Sequence, residues 1–66
     1  MRITLNGDPC DLAEPLTIAQ LLATLGIDPR VVAVEHNLNI VKRGGFDSTQ
    51  VQPGDQLEIV NFVGGG

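Results

Sequence analysis

The chain's most distinctive chemical feature is its glycine tail, Gly64, Gly65 and Gly66. Glycine has no Cβ, so such a tail fits a slot too narrow for any side chain. Three extended residues reach about 10 Å, which carries the carboxylate of Gly66 away from the rest of the chain. The pattern predicts a carboxylate that the active site of another protein can reach. A glycine-rich segment at a frayed chain end is the alternative interpretation.

Three other features carry reactive or charged side chains. Cys10 falls in a predicted strand, apart from any basic cluster. A reactive thiolate needs an electropositive, exposed site, so we expect Cys10 to be unreactive and to pack as a small buried hydrophobe. His36 is the only histidine; one ligand makes no zinc site, so we expect no metal and assign His36 to a surface turn. Lys42 and Arg43 are expected to form a solvated face, with contact to an acidic patch on a partner as the alternative.

Length and charge narrow the function classes. Only 66 residues are present, so core and catalytic side chains compete for few positions, which argues against a self-contained enzyme. The net charge of −4 disfavours nucleic acid and anionic membranes and favours a partner with a basic or apolar docking face. The sequence has no phosphate-binding loop and no Ser-His-Asp set. We therefore expect no bound cofactor and expect any ATP to be used by a partner enzyme.

The expected location is the cytoplasm. The single cysteine, Cys10, cannot form an internal disulfide, so the fold does not depend on an oxidising compartment. The N-terminus lacks the basic and apolar regions of a secretion signal. No apolar run approaches the length of about 18 residues that a membrane helix needs.

The first half of the chain predicts a β-hairpin followed by a helix. Alternating polarity over Met1–Asn6 indicates a half-buried strand, and the Asn-Gly turn signal that follows returns the chain into a second strand. A capping box and apolar residues at helical spacing predict a helix over Thr17–Leu25. Leu21 and Leu25 are expected to be buried at the centre of its apolar stripe.

The second half predicts three further strands. The β-branched run Val31–Val34 indicates the third strand without showing which residues face the core, and a short fourth strand follows at Ile40–Val41. An irregular connection over Phe46–Gln52 is expected to contain one helical turn. In the last strand Leu57 and Ile59 are expected to face the core. Val60, Phe62 and Val63 lie beside the tail and are expected to contact a partner, with burial under another layer as the alternative.

These elements predict an α+β architecture, a mixed sheet of about five strands with one main helix. The domain is expected to span residues 1–63 and the flexible tail residues 64–66. The sequence also resembles a known protein family. Its start, Met-Arg-Ile-Thr-Leu-Asn-Gly, is similar to a ubiquitin-like β-grasp domain, and its middle and end resemble the thiamin sulfur carriers, ThiS. The most specific part is the run Gly-Asp-Gln-Leu-Glu-Ile-Val, residues 54–60, placed shortly before the terminal glycines. Lys42 departs from the family pattern, which often has proline there.

The resemblance implies a sulfur carrier that serves as a protein co-substrate, not an enzyme. A ThiF-like enzyme would use ATP to adenylate the Gly66 carboxylate, and sulfur from a donor such as a cysteine desulfurase would convert it to a thiocarboxylate. A ThiG-like thiazole synthase would then take the sulfur into the thiazole ring of thiamin.

Three alternatives share the predicted fold. A molybdopterin sulfur carrier would use the same chemistry, but such carriers are usually longer and richer in aromatic residues near the tail. A ubiquitin-like modifier would join Gly66 to a lysine of another protein. A β-grasp interaction module would leave its tail unmodified.

Overall fold

Five strands form one mixed sheet in the computed structural model, which describes residues 1–62. The strands are β1 (Arg2–Leu5), β2 (Asp8–Asp11), β3 (Val32–His36), β4 (Asn39–Val41) and β5 (Gln56–Asn61). Their order across the sheet is β2-β1-β5-β3-β4, in which β1 and β5 run parallel and the other neighbours run antiparallel. The predicted mixed sheet with one helix is confirmed, and it places β5 at the centre.

The helix α1 (Ile18–Thr24) begins at the predicted capping box. The Thr17 hydroxyl accepts a bond of 3.1 Å from the Gln20 backbone N–H, and the Gln20 side chain accepts one of 2.9 Å from the Thr17 N–H. These bonds satisfy donors that a helix start otherwise leaves open. The predicted helix bounds are confirmed, with Thr17 and Leu25 as its caps.

The prediction that Leu25 is buried is wrong. Ile18, Leu21 and Leu22 lie in the core, whereas Leu25 is 41% exposed. The cause is local: Leu25 is the C-cap, and Gly26 follows it with φ +72°, so the chain turns away before another helical turn can cover the side chain. Helical spacing locates an apolar stripe but does not show how far the helix rests on the sheet.

The core lies between α1 and one face of the sheet. Val32 and Val34 of β3 point into it, together with Ile3 of β1 and Leu57 of β5, and all four are buried. This resolves the facing of the β-branched run, because Ala33 then takes the opposite face. The expected orientation of Leu57 is confirmed, and Ile59 packs against the same core.

The connections differ from the predicted pattern in two places. A 3-10 turn at Pro29–Val31 precedes β3 and was not predicted. A second 3-10 turn lies at Arg43–Gly45, earlier than the expected helical turn within Phe46–Gln52. Phe46 is buried in the core, which anchors this connection beneath the sheet. Within the residues that the structure describes, no helix has the length and apolar character needed to cross a membrane.

Candidate functional site

The end of β5 determines where the tail leaves the sheet. β5 pairs with β3 from His36↔Leu57 to Val32↔Asn61, and the Phe62 N–H then donates a bond of 2.8 Å to the Val31 carbonyl. The backbone is therefore hydrogen-bonded to the segment Val31–His36 as far as Phe62. The predicted contact residue Val63 and the predicted site Gly64, Gly65 and Gly66 lie outside the described residues.

An asparagine side chain fixes β5 on its other side. Asn6 lies in the β1–β2 turn with φ +49°, and its side chain contacts the backbone of β5. Its Oδ1 accepts a bond of 2.7 Å from the Ile59 N–H, and its Nδ2 donates one of 3.2 Å to the Ile59 carbonyl. The Asn6 amide thereby continues the ladder between β1 and β5 past their last strand pair. The strand that carries the tail is bonded along both edges.

A buried carboxylate positions the beginning of β5. Asp55 is only 8% exposed, and its oxygens lie 2.6 Å from His36 Nε2, 3.1 Å from Asn37 Nδ2 and 2.8 Å from the Gln52 backbone N. Burial by itself raises the pKa of Asp55, but the bonds from Gln52, Asn37 and His36 together outweigh it and lower that pKa below its usual value. This cluster joins the β3–β4 hairpin to the turn before β5.

The assignment of His36 to a surface turn is therefore wrong. His36 is the last residue of β3, its side chain is 20% exposed, and it contacts Asp55. A carboxylate accepts hydrogen bonds, so the Nε2 atom carries the proton in this contact. Sequence separation hid the pair, since residues 36 and 55 meet only after β3 and β5 have paired.

The face of the sheet opposite α1, called the open face here, carries exposed apolar side chains. Val60 is 59% exposed and Leu38 is 85% exposed, and with Ile40 they line a groove of about 450 Å³. Glu35 and Glu58 are directly opposite each other in the β3–β5 register and also line the groove. The predicted exposure of Val60 is confirmed, because the described chain has no second layer over this face.

A second groove, called the tail-root groove here, lies beside Phe62, the last residue that the structure describes. It has a volume of about 510 Å³. Its apolar lining includes Val32, Val41 and Phe62, and its basic lining consists of Arg30, Lys42 and Arg43. Phe62 is 51% exposed, so its predicted exposure is confirmed too. Lys42 and Arg43 are exposed, as the solvated-face interpretation expected.

Cys10 lies on the edge strand β2, directly opposite Ile3 in the β1–β2 register. Its side chain is partly buried and packs against the core, close to the buried-hydrophobe interpretation. The sheet order separates it from the end of β5 by β1. Among residues 1–62, no three His, Cys, Asp or Glu side chains are grouped so as to hold a metal ion.

Two features of the site were missed from sequence. The burial of Asp55 was not predicted, although its position two residues before Leu57 places both side chains on the same face of the strand. Arg30 was not connected with Lys42 and Arg43, because no local pattern links them and the fold alone brings them to one groove.

Sequence comparison relates this chain to known proteins. The model of the ThiS family matches residues 3–66. A thiazole synthase of Paramagnetospirillum magneticum is 44% identical over all 66 residues, but the chain spans only 20% of that protein's length. The Bacillus subtilis sulfur carrier protein ThiS is 38% identical over 50 residues, which are 76% of each chain.

Solved structures give the same result for the fold. The crystal structure of the thiamine biosynthesis protein ThiS from Geobacter metallireducens superposes with a TM-score of 0.88 at 39% identity, covering 100% of both chains. Fold and sequence agree on one assignment: the chain belongs to the ThiS family and has its ubiquitin-like β-grasp fold.

Proposed function

We propose that this chain is a sulfur carrier of thiamin biosynthesis whose Gly66 carboxylate is converted to a thiocarboxylate. The observation that carries the proposal is the match to the ThiS family over residues 3–66, which includes the glycine tail. A relative that bears the name sulfur carrier protein covers three quarters of the chain. In this role the chain is a co-substrate of partner enzymes and supplies no catalytic side chain.

The geometry around β5 supports a carrier role. The strand is central in the sheet and bonded on both edges, so the chain that follows Phe62 starts from a fixed point. Fixing that point reduces the conformational entropy that a partner must remove when it binds the tail. The four residues after Phe62 span at most about 14 Å when extended, which sets how deeply the carboxylate can enter a partner.

The chemistry proceeds in three balanced steps. The Gly66 carboxylate attacks the α-phosphorus of ATP in a ThiF-like enzyme, which forms an acyl-adenylate and releases pyrophosphate. The terminal sulfur of a persulfide, supplied by a donor such as a cysteine desulfurase, attacks the acyl carbon and displaces AMP. A thiol then cleaves the resulting sulfur–sulfur bond, leaving a thiocarboxylate on the carrier and a disulfide on the donor side. Adenylation is needed because a carboxylate is a poor electrophile.

A thiazole synthase is the proposed acceptor of the sulfur. Two relatives named thiazole synthase match all 66 residues of this chain within about a fifth of their own length. In those proteins, a segment similar to this chain shares one polypeptide with a larger remainder. Such linkage places two modules at high effective concentration, which favours modules that act together.

Intact mass spectrometry tests the proposal. The protein is incubated with ATP, the ThiF-like enzyme and a sulfur source, and its mass should increase by the difference between one sulfur and one oxygen. Tandem fragmentation should place the change on Gly66. A mass change on Cys10, or none with an enzyme that is active on another carrier, would refute the assignment.

Tail variants sharpen the same test. Deleting Gly66 withdraws the carboxylate by about 3.5 Å, more than the alignment of reacting atoms tolerates, so thiocarboxylate formation should stop. Gly65→Ala should impair it by adding a Cβ in the partner's channel. Both variants should keep the urea midpoint of the parent, since they alter only the predicted tail.

Docking of the partners is proposed to use the exposed side chains beside the tail, Val60 and Phe62, together with Val63. Phe62→Ala should weaken binding to the activating enzyme or the synthase by about 1–3 kcal/mol, the usual loss for an aromatic contact residue. Its urea midpoint should stay close to that of the parent because Phe62 is half-exposed. Calorimetric titration that gives equal affinities for variant and parent with both partners would remove Phe62 from the interface.

A further inference from the structure

The tail-root groove has a charge opposite to that of the whole protein. Three of the four basic residues of the chain, Arg30, Lys42 and Arg43, line it, although the net charge is −4. The fourth, Arg2, lies in β1 and pairs with Asp11 of the edge strand β2. The sheet order puts β5 between these two basic regions. Positive charge is therefore concentrated on the side where the tail begins.

One of the three cations is already neutralised. The Arg30 guanidinium lies 2.8 Å from Asp28, and its hydrogen bonds hold the pKa of Asp28 at about 2, with a smaller contribution from nearby Arg43. Asp28 therefore stays ionised at neutral pH. Lys42 and Arg43 take part in none of the ion pairs formed within residues 1–62. Among the lysine and arginine side chains of residues 1–62, these two are the ones without an ion-pair partner.

Apolar surface accompanies these charges. Phe62 is 51% exposed at the groove, and Val32 and Val41 continue its apolar lining toward the core. An exposed aromatic side chain next to unpaired cations is typical of a protein-binding surface, where an apolar anchor supplies affinity and charges at the rim supply orientation. A ligand that fits must present an apolar group with carboxylates beside it.

We propose that the tail-root groove binds an acidic segment of the adenylating enzyme, with an apolar side chain of that segment packed on Phe62 and its carboxylates facing Lys42 and Arg43. The inference rests on the proposed function, because it assumes that such an enzyme receives the tail. The rest of this acidic protein repels an acidic segment, so the groove also determines the orientation of the complex.

The adenylating enzyme is favoured over the thiazole synthase by the comparisons. In two relatives the similar segment is part of a thiazole synthase polypeptide, so linkage provides its encounter with the rest of that protein. A partner that arrives by diffusion gains more from complementary charge, which raises the association rate. Charge next to the tail is therefore expected to serve the separate, transient partner.

The experiment compares two charge reversals that are matched in net charge. Arg43→Glu and Arg2→Glu each replace one positive charge by one negative charge at an exposed position, so both take the net charge from −4 to −6. Calorimetric titration of the purified ThiF-like enzyme, without ATP, gives Kd at low and at physiological salt. Arg43→Glu should raise Kd by about tenfold at low salt and weaken its salt dependence, whereas Arg2→Glu should stay within about twofold of the parent. Lys42→Glu should resemble Arg43→Glu.

Equal Kd values and equal salt dependence for the Arg43 and Arg2 variants would overturn the proposal. So would an Arg43→Glu effect confined to the thiazole synthase, or a parent protein that does not bind the adenylating enzyme. Mass spectrometry of the parent protein separates this result from the proposed function, because it reports thiocarboxylate formation independently of the titration. Absence of thiocarboxylate in the parent would refute the sulfur-carrier function, while the titration would still test the groove.

Discussion

The Asp55 cluster makes a quantitative prediction about stability and its pH dependence. Asp55→Asn keeps the size of the side chain but removes its charge, and the new amide cannot accept from all three donors that contact the carboxylate, His36, Asn37 and Gln52. Hydrogen bonds to charged groups contribute about 1.5–3 kcal/mol each and neutral ones about 1 kcal/mol. The substitution weakens bonds and also relieves the desolvation of a buried charge. We expect a net loss of about 1–3 kcal/mol at pH 7.

The sign of the pH dependence follows from the direction of the pKa shift. The pKa of Asp55 is lower in the folded protein than the ordinary value of 3.8. The unfolded state therefore binds a proton first as pH falls, so the stabilisation from Asp55 is fully present above that value and declines as pH falls below it. The difference in unfolding free energy between parent and Asp55→Asn should shrink on acidification, since asparagine does not titrate.

Urea unfolding at a series of pH values from 7 to about 3 measures this difference directly. Asp47→Asn is a matched control, because Asp47 is an exposed acid of the same type. The control should lose little stability at any pH. A difference between parent and Asp55→Asn that stays constant through the acidic range would show that the stabilising role of Asp55 does not depend on its charge.

Three further predictions concern the core, the open face and the cysteine. Leu21→Ala should lower the free energy of unfolding by about 2–5 kcal/mol and Leu25→Ala by about 1 kcal/mol or less, because only Leu21 is buried. Equal shifts in the urea midpoints of the two variants would contradict this packing. Glu58→Gln should stabilise the domain by about 0.2–1 kcal/mol, because it relieves repulsion from Glu35 on the neighbouring strand. An unchanged or lower melting temperature of the variant would show that the two carboxylates do not repel each other measurably. Cys10→Ala should still form the thiocarboxylate, which intact mass spectrometry would detect. If a folded Cys10→Ala variant failed to form it, the Cys10 thiol would take part in the sulfur chemistry.

The two surfaces described above have a common physical pattern. Leu38 has φ +73° and is largely exposed, and Glu35 lies directly opposite Glu58 on the neighbouring strand, so the open face contains an uncommon backbone conformation and a pair of like charges. The tail-root groove similarly leaves Lys42 and Arg43 outside the ion pairs of residues 1–62. Residues that are less favourable for folding stability are expected at surfaces that bind a ligand or a partner protein. Both surfaces lie next to β5, the strand that leads to the tail.

The sequence by itself determined the local elements. Alternation predicted β1 and β5, the Asn6-Gly7 pair predicted the first turn, and the Thr17 capping box predicted the start of α1. These signals arise from neighbours along the chain, whose backbone geometry and hydrogen bonds depend on only a few residues. The resemblance to the ThiS family also followed from sequence, because its motif near the tail is contiguous.

Only the tertiary structure decided which side chains meet. It brought His36 to Asp55, gathered Arg30 with Lys42 and Arg43 at one groove, and left Leu25 exposed at the end of α1. The first two outcomes have no local signal because they depend on strand order, whereas the exposure of Leu25 follows from the end of the helix at Gly26. Periodicity shows which face of an element is apolar, whereas burial and charge pairing depend on what the rest of the chain places against that face.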